Sequence, residues 1–214
     1  HRKRFEDSTC ETRFEGQATL PLLSNTETIE VGTSCTARLD KVIDYKSNLY
    51  AFGLYFNAAS GLIDKYEIRC WIYDADGANT WALKSVVMTE ATSSGSVGSV
   101  VVHGTYLFVF TKSDCYRTTN CATFTLTDTG LLSTACGASL SFGSTLLAAM
   151  GTVSVYKTTD DGANWALVVA VASAGAATGF ASWVDEDGTA RPWLGTQEGA
   201  YIIDLTNNVA EPQI

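Results

Sequence analysis

Histidine, proline and positive charge are scarce in this chain. The 214 residues include two histidines, three prolines and 14 lysines and arginines against 23 aspartates and glutamates, so the formal net charge is −9. An acidic chain of this kind argues against a nucleic-acid partner, because the phosphate backbone needs clustered cations. A Ser-His-Asp triad would have to depend on His103, whose surroundings predict the edge of a hairpin turn instead.

Motifs for metal and cofactor chemistry are also missing. The sequence has no Cys-x-x-Cys pair, no histidine cluster and no glycine-rich loop between a strand and a helix, so we expect neither zinc nor a nucleotide cofactor. Three acidic turns contain calcium candidates, but each supplies fewer oxygens than the roughly six to eight that calcium takes, which favours structural turns. The candidate ligands are Asp74, Asp76, Asp185 and Asp187.

The cysteines are even in number and lack the spacing of a metal site. This favours disulfides, and with them an extracellular, cell-surface or virion environment. We expect Cys115 to pair with Cys121 around a short loop, Cys10 with Cys35, and Cys70 with Cys136. Other pairings, and six reduced buried thiols, stay open as alternatives. The six residues are Cys10, Cys35, Cys70, Cys115, Cys121 and Cys136.

The composition is that of an all-β protein. Apolar residues make up 46% and charged residues 17% of the chain, which indicates a folded globule, and Ser, Thr, Val and Gly are abundant. The uncharged run 165–183 resembles a membrane span in length, but Gly175 and Gly179 interrupt it. It therefore predicts a buried strand followed by a loop of small residues.

Four strongly apolar segments recur along the chain. Their starts are 57, 39 and 46 residues apart, a spacing typical of four-stranded propeller blades. We predict that each segment is the inner, buried strand of its blade. In the second blade, residues 113–121 are expected to form a loop and residues 122–130 a half-exposed strand. The apolar segments are Asn48–Gly53, Thr105–Phe110, Ser144–Ala149 and Ala190–Gly195.

The predicted fold is therefore a β-propeller-like domain of about four blades, with a β-sandwich as the alternative. Residues 38–214 form the repeat domain. Residues 1–37 match a blade poorly and are expected to form an N-terminal arm with a strand that closes the ring or pairs with another chain. Four blades could make a complete small ring or part of a larger one.

One Asp-Gly turn anchored by tryptophan occurs twice, and the string Trp-Ala-Leu follows in both places. Asp, Asn and Gly accept positive φ and hold such a turn locally, while the tryptophan packs back over it. We expect these residues to be structural, with a weaker version at Asp204, Asn207 and Asn208. The first copy contains Asp74, Asp76, Gly77 and Trp81, and the second contains Thr158, Asp160, Gly162 and Trp165.

The second copy resembles the Asp box, Ser/Thr-x-Asp-x-Gly-x-x-Trp, the bacterial neuraminidase repeat found in sialidases, sortilin-like receptors and other secreted β-propellers. The resemblance covers two short turns, and the glycine of the first is displaced to Gly77. It implies blade architecture, and it raises a sialidase-like glycoside hydrolase as an alternative function. That chemistry needs three arginines around a substrate carboxylate and a tyrosine paired with a glutamate. The available arginines are Arg13, Arg38, Arg69, Arg117 and Arg191.

The family's arginine motif is absent, so we expect a protein without enzymatic activity. The predicted function is that of a structural or recognition protein in an extracellular or virion assembly, partnered by other protein subunits or part of a longer precursor. Glycan is a further candidate ligand, and neither nucleic acid nor a membrane span is expected. Aromatic side chains near strand ends form the candidate ligand platform. They are Trp71, Tyr106, Tyr116, Trp183, Trp193 and Tyr201.

Overall fold

The computed structural model describes residues 35–57, 65–74, 80–90, 95–171, 175–185 and 187–213. These residues form sixteen β-strands, and no helix occurs within these ranges. In particular, no helical segment there is long and apolar enough to cross a membrane.

The strands fall into four sheets, each made of four consecutive antiparallel strands. The first two sheets contain β1 Cys35–Tyr45, β2 Asn48–Asn57, β3 Lys65–Asp74 and β4 Thr80–Glu90, then β5 Val97–His103, β6 Tyr106–Thr111, β7 Cys115–Thr118 and β8 Thr125–Leu126. The last two contain β9 Cys136–Phe142, β10 Thr145–Met150, β11 Ser154–Thr158 and β12 Ala166–Ala170, then β13 Ala177–Val184, β14 Ala190–Thr196, β15 Ala200–Asp204 and β16 Val209–Gln213.

The first strands of the four sheets lie side by side. Strand β1 contacts β5, β5 contacts β9, and β9 contacts β13, so consecutive sheets succeed one another around these inner strands. Among the described strands, β1 and β13 make no comparable contact. This is a β-propeller-like fold of four blades. The β-sandwich alternative is wrong, because it requires two facing layers instead of four successive sheets.

The four apolar segments are the second strands of their sheets: β2, β6, β10 and β14. Their burial was predicted, but their assignment as innermost strands is wrong. A second strand has a hydrogen-bonded neighbour on each edge, and in the middle sheets another sheet packs on each face, so no side of it meets water. Residues 107–110 of β6 are accordingly fully buried.

Three apolar cores fill the spaces between consecutive sheets. Alternate residues of each central strand point to opposite faces, so one strand contributes to two cores. Thus Phe108 and Phe110 belong to the core between sheets 2 and 3, whereas Leu107 and Val109 belong to the core between sheets 1 and 2. The third core joins Leu147 and other residues of sheet 3 to sheet 4.

Polar contacts connect the innermost strands. The Asp40 carboxylate accepts a hydrogen bond of 2.8 Å from the Val97 N–H, which links β1 to β5. Between β5 and β9, Ser99 Oγ lies 2.7 Å from Ser139 Oγ, and His103 Nδ1 lies 2.8 Å from Ser141 Oγ. His103 ends β5 at a two-residue turn, as predicted, and its ring is buried as a link between sheets.

Three local predictions differ from the structure. The segment expected to be a loop at 113–121 contains strand β7, and the strand expected over 122–130 is reduced to the two residues of β8. The strand that opens the uncharged run, β12, is the outermost strand of its sheet and is largely exposed instead of buried. Strand β1 begins at Cys35, three residues before the expected start of the repeat domain. The predicted arm falls almost wholly outside the described residues.

The turn after β11 is held by its own side chains. Thr158 Oγ1 donates to Asp160 at 2.7 Å and accepts from the Gly162 N–H at 3.0 Å. The Asp160 carboxylate also accepts from the backbone and side chain of Asn164 at 3.0 and 2.9 Å. Asp161 and Gly162 have φ values of +56° and +83°, which close the turn. The structural role predicted for this copy is therefore supported by its hydrogen bonds.

Trp165 fastens this turn to the preceding sheet. Its indole N–H donates to the Thr127 carbonyl at 2.8 Å, and its ring meets Phe110 edge-on with centroids 5.8 Å apart. Thr127 Oγ1 in turn donates to the Gly162 carbonyl. In the first copy, the turn itself lies outside the described residues. Trp81 is buried on the face of sheet 1 that points away from sheet 2, beside Trp71 and Tyr73.

Replacing Gly162 by alanine should destabilise the fold strongly. A Cβ there would lie 2.7 Å from a Phe108 ring carbon and 2.8 Å from Thr127 Oγ1, in addition to the cost of positive φ. We expect Gly162→Ala to lower the free energy of unfolding by about 3 kcal/mol. Gly188→Ala is the matched control, because Gly188 has a φ of +80° and open space around it. It should cost about 1 kcal/mol. Equal losses in urea unfolding would show that the Phe108 contact does not matter.

Asn164 should control the ionisation of Asp160. Hydrogen bonds from the Asn164 side chain and backbone lower the pKa of Asp160 to about 2. Because this pKa is below its value in the unfolded chain, Asp160 stabilises the fold above pH about 4, and the contribution is lost as pH falls towards 2. We expect Asn164→Ala to raise the pKa of Asp160, measured by NMR titration of its carboxyl carbon. Asn207→Ala should instead raise that of Asp204, which Asn207 lowers in the same way.

Candidate functional site

Sheet 4 departs from the other sheets at its first hairpin. In sheets 1 to 3 a two-residue turn joins the first strand to the second, as between Phe142 and Thr145. In sheet 4 the last pair is Val184 with Ala190, so the connection is five residues long, and Asp185 and residues 187–189 are its described part. Extra loop residues on a rigid scaffold commonly carry function, which directs attention to this end of sheet 4.

A cleft of about 400 Å³ lies beside this loop. In each sheet strands one and three run in the same direction, so the first and third hairpins meet at the same end of the fold. The cleft lies at that end, between the two hairpins of sheet 4 and the first hairpin of sheet 3. Its lining includes Phe142, Thr189, Arg191, Pro192, Asp204 and Asn207.

Arg191 is the only cation among the residues that line the cleft, and the adjacent loop holds it. Its Nε lies 2.5 Å from an Asp185 carboxylate oxygen and its Nη2 lies 3.6 Å from Asp187. The backbone N–H of Thr189 donates to Asp187, and this hydrogen bond lowers the pKa of the Asp187 carboxyl. Two ion pairs therefore hold the guanidinium on a partly exposed surface.

Trp183 lies directly across from Arg191 in the pairing of β13 with β14. Paired residues of antiparallel strands project from the same face, so the indole and the guanidinium are neighbours. Trp183 is 63% exposed, the largest exposure among the large apolar residues of the described chain. We call Trp183, Asp185, Asp187 and Arg191 the Trp183 surface. It offers an aromatic face, a fixed cation and carboxylates within one hairpin.

The other aromatic residues of the predicted platform are less exposed than Trp183. Trp71 is fully buried in sheet 1, so its assignment to an exposed platform is wrong. The remaining four are half-buried: Tyr106 and Tyr116 are in sheet 2, whereas Trp193 and Tyr201 are in sheet 4 with Trp183. Tyr116 and Tyr201 pack against the cores, and Tyr106 lies under Arg117, which is 4.8 Å from its ring centroid. Trp193 follows Arg191 by two residues in β14 and has its indole nitrogen buried.

The described arginines do not converge. Arg69 is bound to Glu67 at 2.8 Å in sheet 1, Arg117 donates to the Asp161 carbonyl between sheets 2 and 3, and Arg191 is held in sheet 4. Arg69 and Arg117 are in third strands, away from the inner strands at the axis. Arg13 and the side chain of Arg38 lie outside the described residues.

The two calcium candidates whose side chains are described both form ion pairs with Arg191. Asp185 and Asp187 both face this cation, which a metal ion would have to displace. No group of three or more metal-ligating side chains occurs in the described part of the chain. Asp76 and the side chain of Asp74 fall outside it.

The four described cysteines are buried free thiols, so the predicted pairs Cys115–Cys121 and Cys70–Cys136 are not formed. Cys121 lies in the core between sheets 1 and 2 together with Cys70, whereas Cys115 lies in the core between sheets 2 and 3 together with Cys136. Closeness in sequence was misleading for Cys115 and Cys121, because strand β7 carries the two residues to different cores. Cys10 and the side chain of Cys35 lie outside the described residues.

One functional feature escaped the sequence analysis. The outermost strand of every sheet exposes a large aliphatic side chain, by 41% to 53%: Leu83, Leu126, Leu167 and Val209. Leu83 and Leu167 occupy the same place in the two Trp-Ala-Leu strings. The repeated leucine was visible, but strand alternation alone does not indicate that this position on an edge strand is open to solvent.

No protein-family model matches the chain, and no curated protein sequence matches it. Its structure is similar to the extracellular domain of a one-component system, BT4673, from B. thetaiotaomicron (TM-score 0.49, 10% identity, 83% of this chain and 28% of that chain). It is also similar to YCF48 from Cyanidioschyzon merolae (0.43, 10%, 83% and 68%) and to the computationally designed Ika4 protein (0.41, 10%, 78% and 94%). Similarities of this size assign neither ligand nor activity.

Proposed function

We propose that the protein is a non-enzymatic structural or recognition subunit of an extracellular or virion assembly, and that it binds protein partners through the outermost strands of its sheets. The exposed leucines of the two Trp-Ala-Leu strings are the observation that carries the proposal. Folding explains the tryptophan of each string, which is buried, but gives no reason for Leu83 to be 42% and Leu167 to be 53% exposed.

The outermost strands have two properties that suit a partner surface. Each has one edge without a neighbour in its own sheet, so its backbone groups on that edge can pair with another chain. Each also exposes a large aliphatic side chain. Single exposed aliphatic residues are common, but recurrence in every sheet is what an extended contact requires. The low charge content, 17%, and the even number of cysteines support placement outside the cell.

Charge placed on the outermost strands should disrupt association. We expect the wild-type chain to form oligomers in multi-angle light scattering, and Leu83→Lys with Leu167→Lys to shift it towards the monomer. Leu132→Lys is the control, because Leu132 is 43% exposed but lies in the loop before β9. A wild-type chain that stays monomeric at all concentrations, or equal effects of the control, would contradict the proposal.

The Trp183 surface is the second element of the proposed function, as the place where a glycan binds. A sugar ring can stack on an exposed indole, and Arg191 with its flanking carboxylates can hydrogen-bond to the sugar hydroxyls. The stacking face needs no rearrangement, since Trp183 is already 63% exposed.

A sialidase-like activity is the alternative, and one cluster favours it. Tyr55 is paired with Glu67 across β2 and β3, and the Arg69 guanidinium lies 3.3 Å from the centroid of the Tyr55 ring while bound to Glu67. A tyrosine, a glutamate and an arginine are thus together. Two features oppose catalysis there: among the described side chains a single arginine occupies the cluster, and Tyr55 is buried, with only 7% of its surface exposed.

A panel of fluorogenic sialosides and neutral oligosaccharides separates these possibilities. We expect binding without hydrolysis, and Trp183→Ala should weaken binding about tenfold, as the loss of one stacking contact would. Trp183→Phe keeps a ring and should restore most of the affinity. Hydrolysis that disappears in Tyr55→Phe while Trp183→Ala has no effect would instead support the glycosidase.

A further inference from the structure

Cys70 and Cys121 approach each other across the boundary between sheets 1 and 2. Cys70 is in strand β3, and Cys121 follows β7 in the loop that leads to β8. Both residues are fully buried and belong to the same core. Their sheets are otherwise separate hydrogen-bonded units, so any covalent link between them would tie two blades together.

Two hydrogen bonds hold the backbone of Cys121 near Cys70. Its N–H donates to Thr118 Oγ1 at 2.9 Å, and its carbonyl accepts from Ser85 Oγ at 2.7 Å. Ser85 is the residue of β4 that pairs with Cys70. The Cys121 carbonyl is therefore bonded to the residue that lies directly beside Cys70 in sheet 1. Cys121 also has a φ of +55°, an unfavourable backbone for a residue with a side chain. Such strain persists only where its surroundings enforce it.

The Cys70 thiol lies 4.0 Å from the Trp71 carbonyl oxygen, to which it is a weak donor. Interaction with the Cys121 thiol first, and burial second, raise the pKa of Cys70, and the same interaction lowers the pKa of Cys121. Tyr50 is buried in the same core. Cys121 is therefore the more readily ionised thiol of the two, but burial of both residues keeps a bulky disulfide oxidant from them in the folded chain. Oxidation is accordingly expected while the chain folds.

We propose that Cys70 and Cys121 form a disulfide that joins sheets 1 and 2 when the chain folds in an oxidising compartment. The oxidant is a disulfide compound, such as oxidised glutathione or a disulfide-donating oxidoreductase. One cysteine thiolate attacks a sulfur of the oxidant and releases its first thiol. The second cysteine then attacks the mixed disulfide and releases the other thiol. The protein loses two hydrogens and two electrons, and the oxidant gains them as two S–H groups.

Cys115 and Cys136 provide an internal comparison. They also share a core, but Cys136 directs its thiol to the Ala138 carbonyl at 3.2 Å within its own strand. Burial raises the pKa of Cys136 to about 12. We assign no disulfide to this pair, so the two pairs should behave differently under the same oxidant.

A peptide map of the full chain, refolded with a glutathione redox buffer and alkylated before digestion, tests the proposal. Cleavage after Lys and Arg and before Asp places the four cysteines on four peptides: 70–73, 114–117, 118–127 and 128–157. We expect 70–73 linked to 118–127, with a mass that separates into the two peptides on reduction. A link of 118–127 to 114–117, a link of 70–73 to 128–157, or alkylated thiols at Cys70 and Cys121 would overturn it.

The thermal midpoint gives an independent measure. The disulfide would close a loop of 51 residues between positions 70 and 121, which should raise the midpoint by about 10 °C in oxidised against reduced chain. Cys70→Ser with Cys121→Ser should remove this contribution, whereas Cys115→Ser with Cys136→Ser should retain it. A redox difference of undiminished size in the first double variant would overturn the assignment. Should that variant fail to fold, the wild-type peptide map still decides.

Discussion

Burial of the second strand of each sheet is the constraint on which the structure depends. In sheets 2 and 3 this strand has a hydrogen-bonded neighbour on both edges and a packed sheet on both faces, so its buried side chains are apolar except for Thr111. The clearest case is β6, where Leu107 to Phe110 face two cores alternately without exposure. Sheets fixed in this way cannot slip in register, because a shift of one residue would exchange the residues assigned to two different cores. The turns and outermost strands are then free to vary.

The parts of this fold that depend on neighbouring residues were predictable, and those that depend on neighbouring sheets were not. The uninterrupted apolar runs gave the number of sheets, and Thr158, Asp160, Gly162 and Trp165 gave a turn whose bonds are almost all local. The position of a strand relative to the axis is set by contacts between sheets, so the second strand was mistaken for the first. The predicted pairing of Cys115 with Cys121 was wrong for the same reason, since strand β7 places the two residues in different cores.

The candidate site was visible in part. Trp183 stood out as an aromatic near a loop, but its exposure follows from its position in the last sheet of the described chain, where one face has no neighbouring described sheet. The role of Arg191 was hidden because Asp185 and Asp187 were read as oxygen ligands for a metal. In the structure, these carboxylates form ion pairs with the Arg191 guanidinium on β14. A sequence pattern of alternating acids does not distinguish these two cations.

Trp183 of sheet 4 differs from the two tryptophans of sheet 1, and this bears on the proposed function. On the face of sheet 1 away from sheet 2, Trp71 and Trp81 are buried, although both indole nitrogens lack a hydrogen-bond partner. On sheet 4, Trp183 is open to solvent. A buried indole without a partner costs stability, which is tolerable where apolar area dominates. An exposed indole gains nothing from folding at all. The proposed glycan contact accordingly uses sheet 4, and the interior of sheet 1 supports the scaffold that holds it.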